Sequence, residues 1–156
     1  GYNYVYQRYD FEREHFPGRV LIGTETFPYR AYETWVETER QPHVIGDFVW
    51  TAWDYLGESA IGKVDIDTLV PFFMRNAWPY HIANCGDIDI CGFKRPQSFY
   101  RDVLWNSGQR LSIFVEVPEP SFKQNARRAG WSKWHWHDEV ADWNWEDHEG
   151  EPQRQR

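Results

Sequence analysis

Two short apolar runs with a helical pattern between them constrain this chain more than any other feature. Val20-Leu21-Ile22-Gly23-Thr24-Glu25 reads as a buried strand, a β-branched run closing on polar groups, and Pro28 forbids its continuation. Between 30 and 40 (RAYETWVETER), Ala31, Tyr32, Trp35 and Val36 fall on one helical face, and Pro42 ends the pattern. Val44-Ile45-Gly46-Asp47-Phe48-Val49-Trp50 then reads as a second buried strand. Strand, helix, strand with short connections is a βαβ unit, whose strands run parallel. The fold class is therefore α/β.

The flanking segments are less regular. The opening GYNYVYQRY reads as a strand end and the loop after it, not as a secretory leader, having neither a basic start nor an apolar run. A polar stretch follows, closed by Pro17 and Gly18. From 51 to 94 the chain is rich in Gly, Asp and aromatics with weak periodicity, and loops of that length are usually functional. Pro96 opens a helix (RPQSFYRDVLW) with Phe99, Tyr100, Val103 and Leu104 as its apolar face. After Asn106-Ser107-Gly108 the texture changes, and LSIFVEV (111–117) reads as an isolated strand ended by Pro118 and Pro120. A boundary near Gly108 divides the chain into 1–108 and 109–156. The final EGEPQRQR reads as frayed.

Composition narrows the function. The chain is 41% hydrophobic and 26% charged, which excludes a disordered chain, and no stretch is apolar enough to cross a bilayer. A net charge of −7 argues against a nucleic-acid partner, which needs a basic face to displace phosphate counterions. Aromatic residues make up 19% of the chain while the mean hydropathy stays at −0.77. Flat rings set among polar groups suit a sugar-binding cleft, and equally an aromatic core under a polar surface. Cys85 and Cys91 are too few for a disulfide scaffold, and their spacing is not a common zinc pattern.

In α/β barrels the chemistry sits at the C-terminal ends of strands. Glu25 and Trp50 hold those positions here. A carboxylate at a strand end beside a Trp-rich loop suits glycoside hydrolysis, in which one carboxylate attacks the anomeric carbon and an aromatic face stacks on the ring. The plainer reading of Glu25 is a polar cap on its strand.

Three runs become recognisable together: GTETFP (23–28), VIGDFVWTAWDYLGE (44–58) and CGDIDICGFKRPQSFYRDVLW (85–105). In this order they resemble family 2 glycoside hydrolases of the β-galactosidase-like type found in Bacteroidetes, over nearly the whole chain. The resemblance implies the C-terminal portion of a (β/α)8 barrel in 1–108, namely the end of strand six with strands seven and eight. The start of an immunoglobulin-like β-domain would follow in 109–156. Glu25 would be the nucleophile, and Tyr4 the tyrosine whose hydroxyl bonds to it. Trp50 would form part of the sugar-binding floor and be joined to Thr51 by a cis peptide bond. Asn3 and Asp54 would lie on the substrate side.

The same resemblance implies no cofactor and no metal. Its partners are a carbohydrate substrate and the remainder of the barrel with flanking β-domains, with neither nucleic acid nor membrane, in a periplasmic or extracellular setting. A retaining enzyme needs a second, protonated carboxyl about 5–5.5 Å from the first. In the family it is a Glu following an Asn at the end of strand four, which would lie upstream of Gly1. The expectation is a fragment of a retaining exo-β-glycosidase that is inactive alone and exposes strand edges. Family members that cleave glucuronides carry an Asn-x-Lys pair after strand eight. Asp87 and Asp89 occupy the matching region here and would repel a uronate, which favours a neutral sugar, β-galactose first. Loop-structuring roles for both aspartates stand beside that reading.

His135 and His137, with Asp138, have the alternation of strand metal ligands, against an interface-packing loop as the plainer reading. Trp131, Trp134, Trp136, Trp143 and Trp145 suit either a lectin-like platform or packing of the barrel on a β-domain. They also supply the rival function, a non-catalytic carbohydrate-binding or structural module.

Overall fold

The two β-branched runs become neighbouring strands, and the residues before them become a third. The computed structural model describes residues 1–57, 61, 81–108, 111–116, 139–140, 144 and 148–152. Strands β1 (Tyr2–Asn3), β2 (Leu21–Thr26) and β3 (Val44–Val49) form one sheet in the order β1-β2-β3. All are parallel, with Asn3 opposite Glu25 and Thr26 opposite Val49. The expected βαβ unit is therefore present: α2 (Ala31–Arg40) joins β2 to β3 after a short 3-10 turn that starts at Pro28. The polar stretch after Tyr9 is more than a loop. It folds as a short helix, α1 (Tyr9–His15), whose Tyr9 and Glu12 are buried one turn apart. Seven residues with no apolar period carry no helical signature, so only packing against the sheet reveals it.

Burial departs from expectation on both longer helices. On α2 the buried residues are Ala31, Thr34 and Thr38, while Tyr32 and Val36 stay exposed. Small side chains allow a close approach to β3, and the Thr38 hydroxyl satisfies itself on the Thr34 carbonyl at 2.8 Å. Helix α3 (Pro96–Leu104) buries Gln97, Ser98 and Arg101, with the expected apolar face only partly covered. Gln97 and Arg101 are drawn inward by polar partners, as described below. The strands were expected to be buried on both faces, yet Ile45 and Phe48 are 70% and 60% exposed.

Two small apolar clusters hold the described part together. Tyr9, Leu21 and Val44 pack with Tyr2 and Tyr6 between α1 and the sheet. Ala83 and Cys85 are fully buried under Phe27, Trp50, Tyr55 and Ile61, at the end of the sheet where β2 and β3 finish. The segment 51–94, expected to be a long functional loop, contains a short antiparallel pair, β4 (Tyr55–Leu56) with β5 (Ile82–Ala83). The strand expected to stand isolated at 111–117 is instead short and paired: β6 (Val115–Glu116) runs antiparallel to β7 (Glu139–Val140). Both cysteines are free, Cys85 buried and Cys91 exposed. Among the described residues no helix is long and apolar enough to cross a membrane. Trp131, Trp134, His135, Trp136, His137, Trp143 and Trp145 lie outside the described residues.

Candidate active site

A parallel sheet brings the C-terminal ends of its strands to one edge, and here that edge gathers the expected residues. Tyr4 follows β1, and its amide donates to the Glu25 carbonyl at 2.7 Å. Trp50 follows β3, and its amide donates to the Thr26 carbonyl at 2.7 Å. Asn3, Tyr4, Glu25 and Trp50 therefore sit on three adjacent strand ends. Tyr4 has φ +61, a conformation that bulky side chains rarely adopt and that costs about 1–3 kcal/mol, so the surrounding structure must enforce it. The peptide bond between Trp50 and Thr51 is cis, as the resemblance implied.

Glu25 is half-buried and its carboxylate has no ion pair or hydrogen bond among the described residues. A half-buried carboxylate that no described side chain holds is open to a ligand, and aromatic side chains share its edge of the sheet. The rings form a wall around this edge. Tyr4 stacks on Phe27 with centroids 4.7 Å apart, and Trp50 meets Tyr55 edge-on at 6.1 Å. Such pairs contribute about 0.5–1.5 kcal/mol each beyond the area they bury, and they hold the ring planes in place. Phe27 and Tyr55 were not singled out from the sequence. Their signal lay in plain view, two residues after Glu25 in GTETFP and one after Asp54 in WTAWDYLGE.

The remaining expected residues have internal partners. Asn3 accepts from the Thr24 hydroxyl at 2.6 Å through its side-chain oxygen. Asp54 is 5% exposed, and Arg95 donates to both its oxygens at 2.6 Å while the Gly86 amide donates to one at 2.9 Å. Engaged in this way, Asp54 braces the loop that follows Trp50. The two aspartates read for substrate charge behave likewise. Asp87 pairs with the buried Arg101 at 2.6 Å, and Asp89 accepts from the amides of Cys91 and Phe93 at 2.9 Å. Burial pushes the Asp87 carboxyl above the usual carboxylate range, against the pull of Arg101. Of the two readings offered for these aspartates, loop structuring is the one that the geometry bears out. Asp87, whose charge Arg101 balances, would repel no uronate, which leaves Asp89 alone behind the electrostatic case for a neutral sugar.

Among the described residues no group of three or more His, Cys, Asp or Glu side chains could hold a metal. A cavity of about 200 Å³ is lined by residues that include Tyr4, Tyr6, Tyr9, Phe27, Arg30 and Thr34, and neither Glu25 nor Trp50 lines it.

No protein-family model and no curated protein sequence matches the chain. Solved structures do. A glycosyl hydrolase family 2 member from Bacteroides cellulosilyticus shares 38% identity with a TM-score of 0.74, over 96% of this chain and 19% of its own. A second such member, from Bacteroides cellulosilyticus DSM 14838, shares 31% identity with a TM-score of 0.67, over 99% of this chain and 17% of its own. The chain thus spans less than a fifth of the length of either.

Proposed function

This chain belongs to glycosyl hydrolase family 2, and from that membership we propose that it carries the nucleophile edge of a retaining exo-β-glycosidase. Strands β1, β2 and β3 then correspond to the end of strand six and to strands seven and eight of a (β/α)8 barrel. Residues 109–156 are the linker and first strands of an immunoglobulin-like domain. The observation that carries this reading is the convergence of Tyr4, Glu25 and Trp50 on three neighbouring strand ends, with the Glu25 carboxylate free of any partner among the described residues.

In this reading a Glu25 oxygen attacks the anomeric carbon as the bond to the leaving oxygen breaks. A second carboxyl, about 5–5.5 Å away and contributed by a part of the family fold outside these residues, protonates that oxygen. The same group then takes a proton from the water that releases the sugar. Tyr4 takes the place of the tyrosine that accompanies the nucleophile in the family, tied to Glu25 here through its amide, which donates to the Glu25 carbonyl at 2.7 Å. Trp50 is the floor under the sugar ring, with Phe27 and Tyr55 fixing its surroundings. Asn3 turns its amide hydrogens toward a sugar hydroxyl. We assign Asp54 to the scaffold of the site. The substrate class is a terminal neutral β-glycoside, β-galactoside first, and it rests on the resemblance of the three sequence motifs.

The test uses the protein at its full natural length. A 2-deoxy-2-fluoro-β-galactosyl fluoride should inactivate it and leave a covalent sugar on the peptide containing Glu25, read by mass spectrometry. Glu25→Gln should lower turnover of an aryl β-galactoside by roughly four orders of magnitude while substrate binding survives, because covalent catalysis is lost. Turnover that survives this change removes Glu25 from the role.

A further inference from the structure

We infer that Arg95 is a positioning residue for Trp50, holding the sugar platform in place through a clamp on the loop that follows it. This deepens the reading of Trp50 given above and rests on it. The clamp is built on two backbone segments lying side by side. The Thr51 amide donates to the Cys85 carbonyl at 3.1 Å and the Asp87 amide to the Thr51 carbonyl at 2.9 Å. The Ile88 amide donates to the Ala52 carbonyl at 3.0 Å, and the Asp54 amide to the Ile88 carbonyl at 2.9 Å. The residues directly after Trp50 are thereby zipped to the stretch 85–88.

Arg95 locks that zipper from the N-terminal end of α3. Its two terminal nitrogens reach the two Asp54 oxygens, and one of them also donates to the Gly86 carbonyl at 2.8 Å. Gln97 donates to the same carbonyl at 3.1 Å, and the Arg95 amide donates to the Asp87 carbonyl at 2.9 Å. A planar fork that meets a carboxylate with two bonds fixes direction as well as distance, which a point charge does not. The ion pair is shielded, with side-chain exposures of 13% and 2%, so the loss of one partner leaves a buried charge uncompensated.

The clamp acts on Trp50 through two contacts. One is covalent, since Thr51 is the next residue. The other is packing, since the indole rests against Ala83 and Cys85, the residues leading into the clamped stretch. If the fork goes, the 85–88 stretch and the loop after Trp50 are free to separate, and the indole loses its support. The Arg95 guanidinium is spent on Asp54 and the Gly86 carbonyl, so its effect on the reaction passes through Trp50.

The experiment is a double-mutant cycle in the protein at its full natural length, with an aryl β-galactoside as probe. Active sites are counted by 2-fluoro-sugar labelling, so that only folded molecules enter the rates. Arg95→Met should raise KM roughly tenfold with a smaller change in kcat, and should add nothing further once Trp50→Ala is in place. Arg95→Lys, which keeps the charge and tests the clamp even if the methionine variant does not fold, should restore thermal stability more than it restores KM. The inference is overturned if Arg95 variants lower only the melting temperature or the active fraction, leaving KM unchanged. It is equally overturned if their effect on KM persists undiminished in the Trp50→Ala background. An unchanged KM for Trp50→Ala alone is a different failure, that of the platform reading itself, and the inference falls with it.

Discussion

Asp47 has both carboxylate oxygens buried without a hydrogen-bond partner among the described residues. Burial raises its pKa, and the nearby Thr26 hydroxyl and Arg101 guanidinium oppose that shift without cancelling it. A carboxyl whose pKa is raised on folding binds its proton more tightly in the native state. Its contribution to stability is therefore full below the unfolded value and is lost as pH rises through the folded one. Asp10 and Glu12 run the other way. Hydrogen bonds from Arg40 and from Tyr2 respectively lower their pKa values, so their contribution appears above the unfolded value and fades as pH falls through the folded one. Asp47→Asn should remove the alkaline loss alone. A gain of roughly 1 kcal/mol at pH 8, shrinking toward pH 4, is expected from urea melts at the two pH values. A variant no more stable than wild type at pH 8 would show that Arg101 already compensates the charge. No periodicity marks Asp47, which sits inside an apolar strand run, so only the three-dimensional surroundings reveal its burial.

Among the described glycines, the closest approach of backbone is at Gly86. A Cβ there would lie 2.2 Å from the Asp54 amide nitrogen and 2.5 Å from the Ile88 carbonyl oxygen. Both are backbone atoms, which cannot rotate away as a side chain can. Overpacking commonly costs 1–3 kcal/mol, so Gly86→Ala should destabilise by at least about 3 kcal/mol, measured as a shift in the denaturant midpoint at constant slope. A near-neutral result would mean that the two clamped segments separate easily, against the rigid support argued for Trp50. Much of this level was legible in the sequence. Strands β2 and β3, helix α2 and the first-turn proline of α3 follow from period, β-branching and proline placement. The buried faces of α2 and α3 did not, because hydrophobic periodicity locates apolar stripes. What the sheet admits against α2 is a stripe of Ala and Thr, and what Gly86 and Asp87 draw inward on α3 is a glutamine and an arginine.

At the scale of the whole molecule, the described surface carries large apolar side chains that a finished parallel sheet would cover. Val20, Ile45 and Leu56 are 66%, 70% and 68% exposed, and Phe48 stands out from the edge strand β3. Parallel strands are normally covered on both faces, and a bare apolar edge invites association. Produced as these 156 residues alone, the chain should self-associate with rising concentration, seen by light scattering after size exclusion. Replacing Ile45 and Phe48 together with lysine should shift that balance toward monomer. A pair of lysines without effect would locate the sticky surface elsewhere.

What the sequence by itself determined is local and ordered. The βαβ unit, its parallel strands, the placing of Glu25 and Trp50 at strand ends and the family likeness all follow from residues close together in the chain. They are legible because backbone period, proline and short motifs act over a few residues. The tertiary structure alone decided the rest. It set Asn3 opposite Glu25, turned Asp54 and Asp87 from candidate sugar contacts into partners of Arg95 and Arg101, and enlisted Phe27 and Tyr55 in the aromatic wall. The reason is physical: the fate of a charge depends on which opposite charge the fold brings within about 3 Å while excluding water, and that partner lies 14 to 41 residues away.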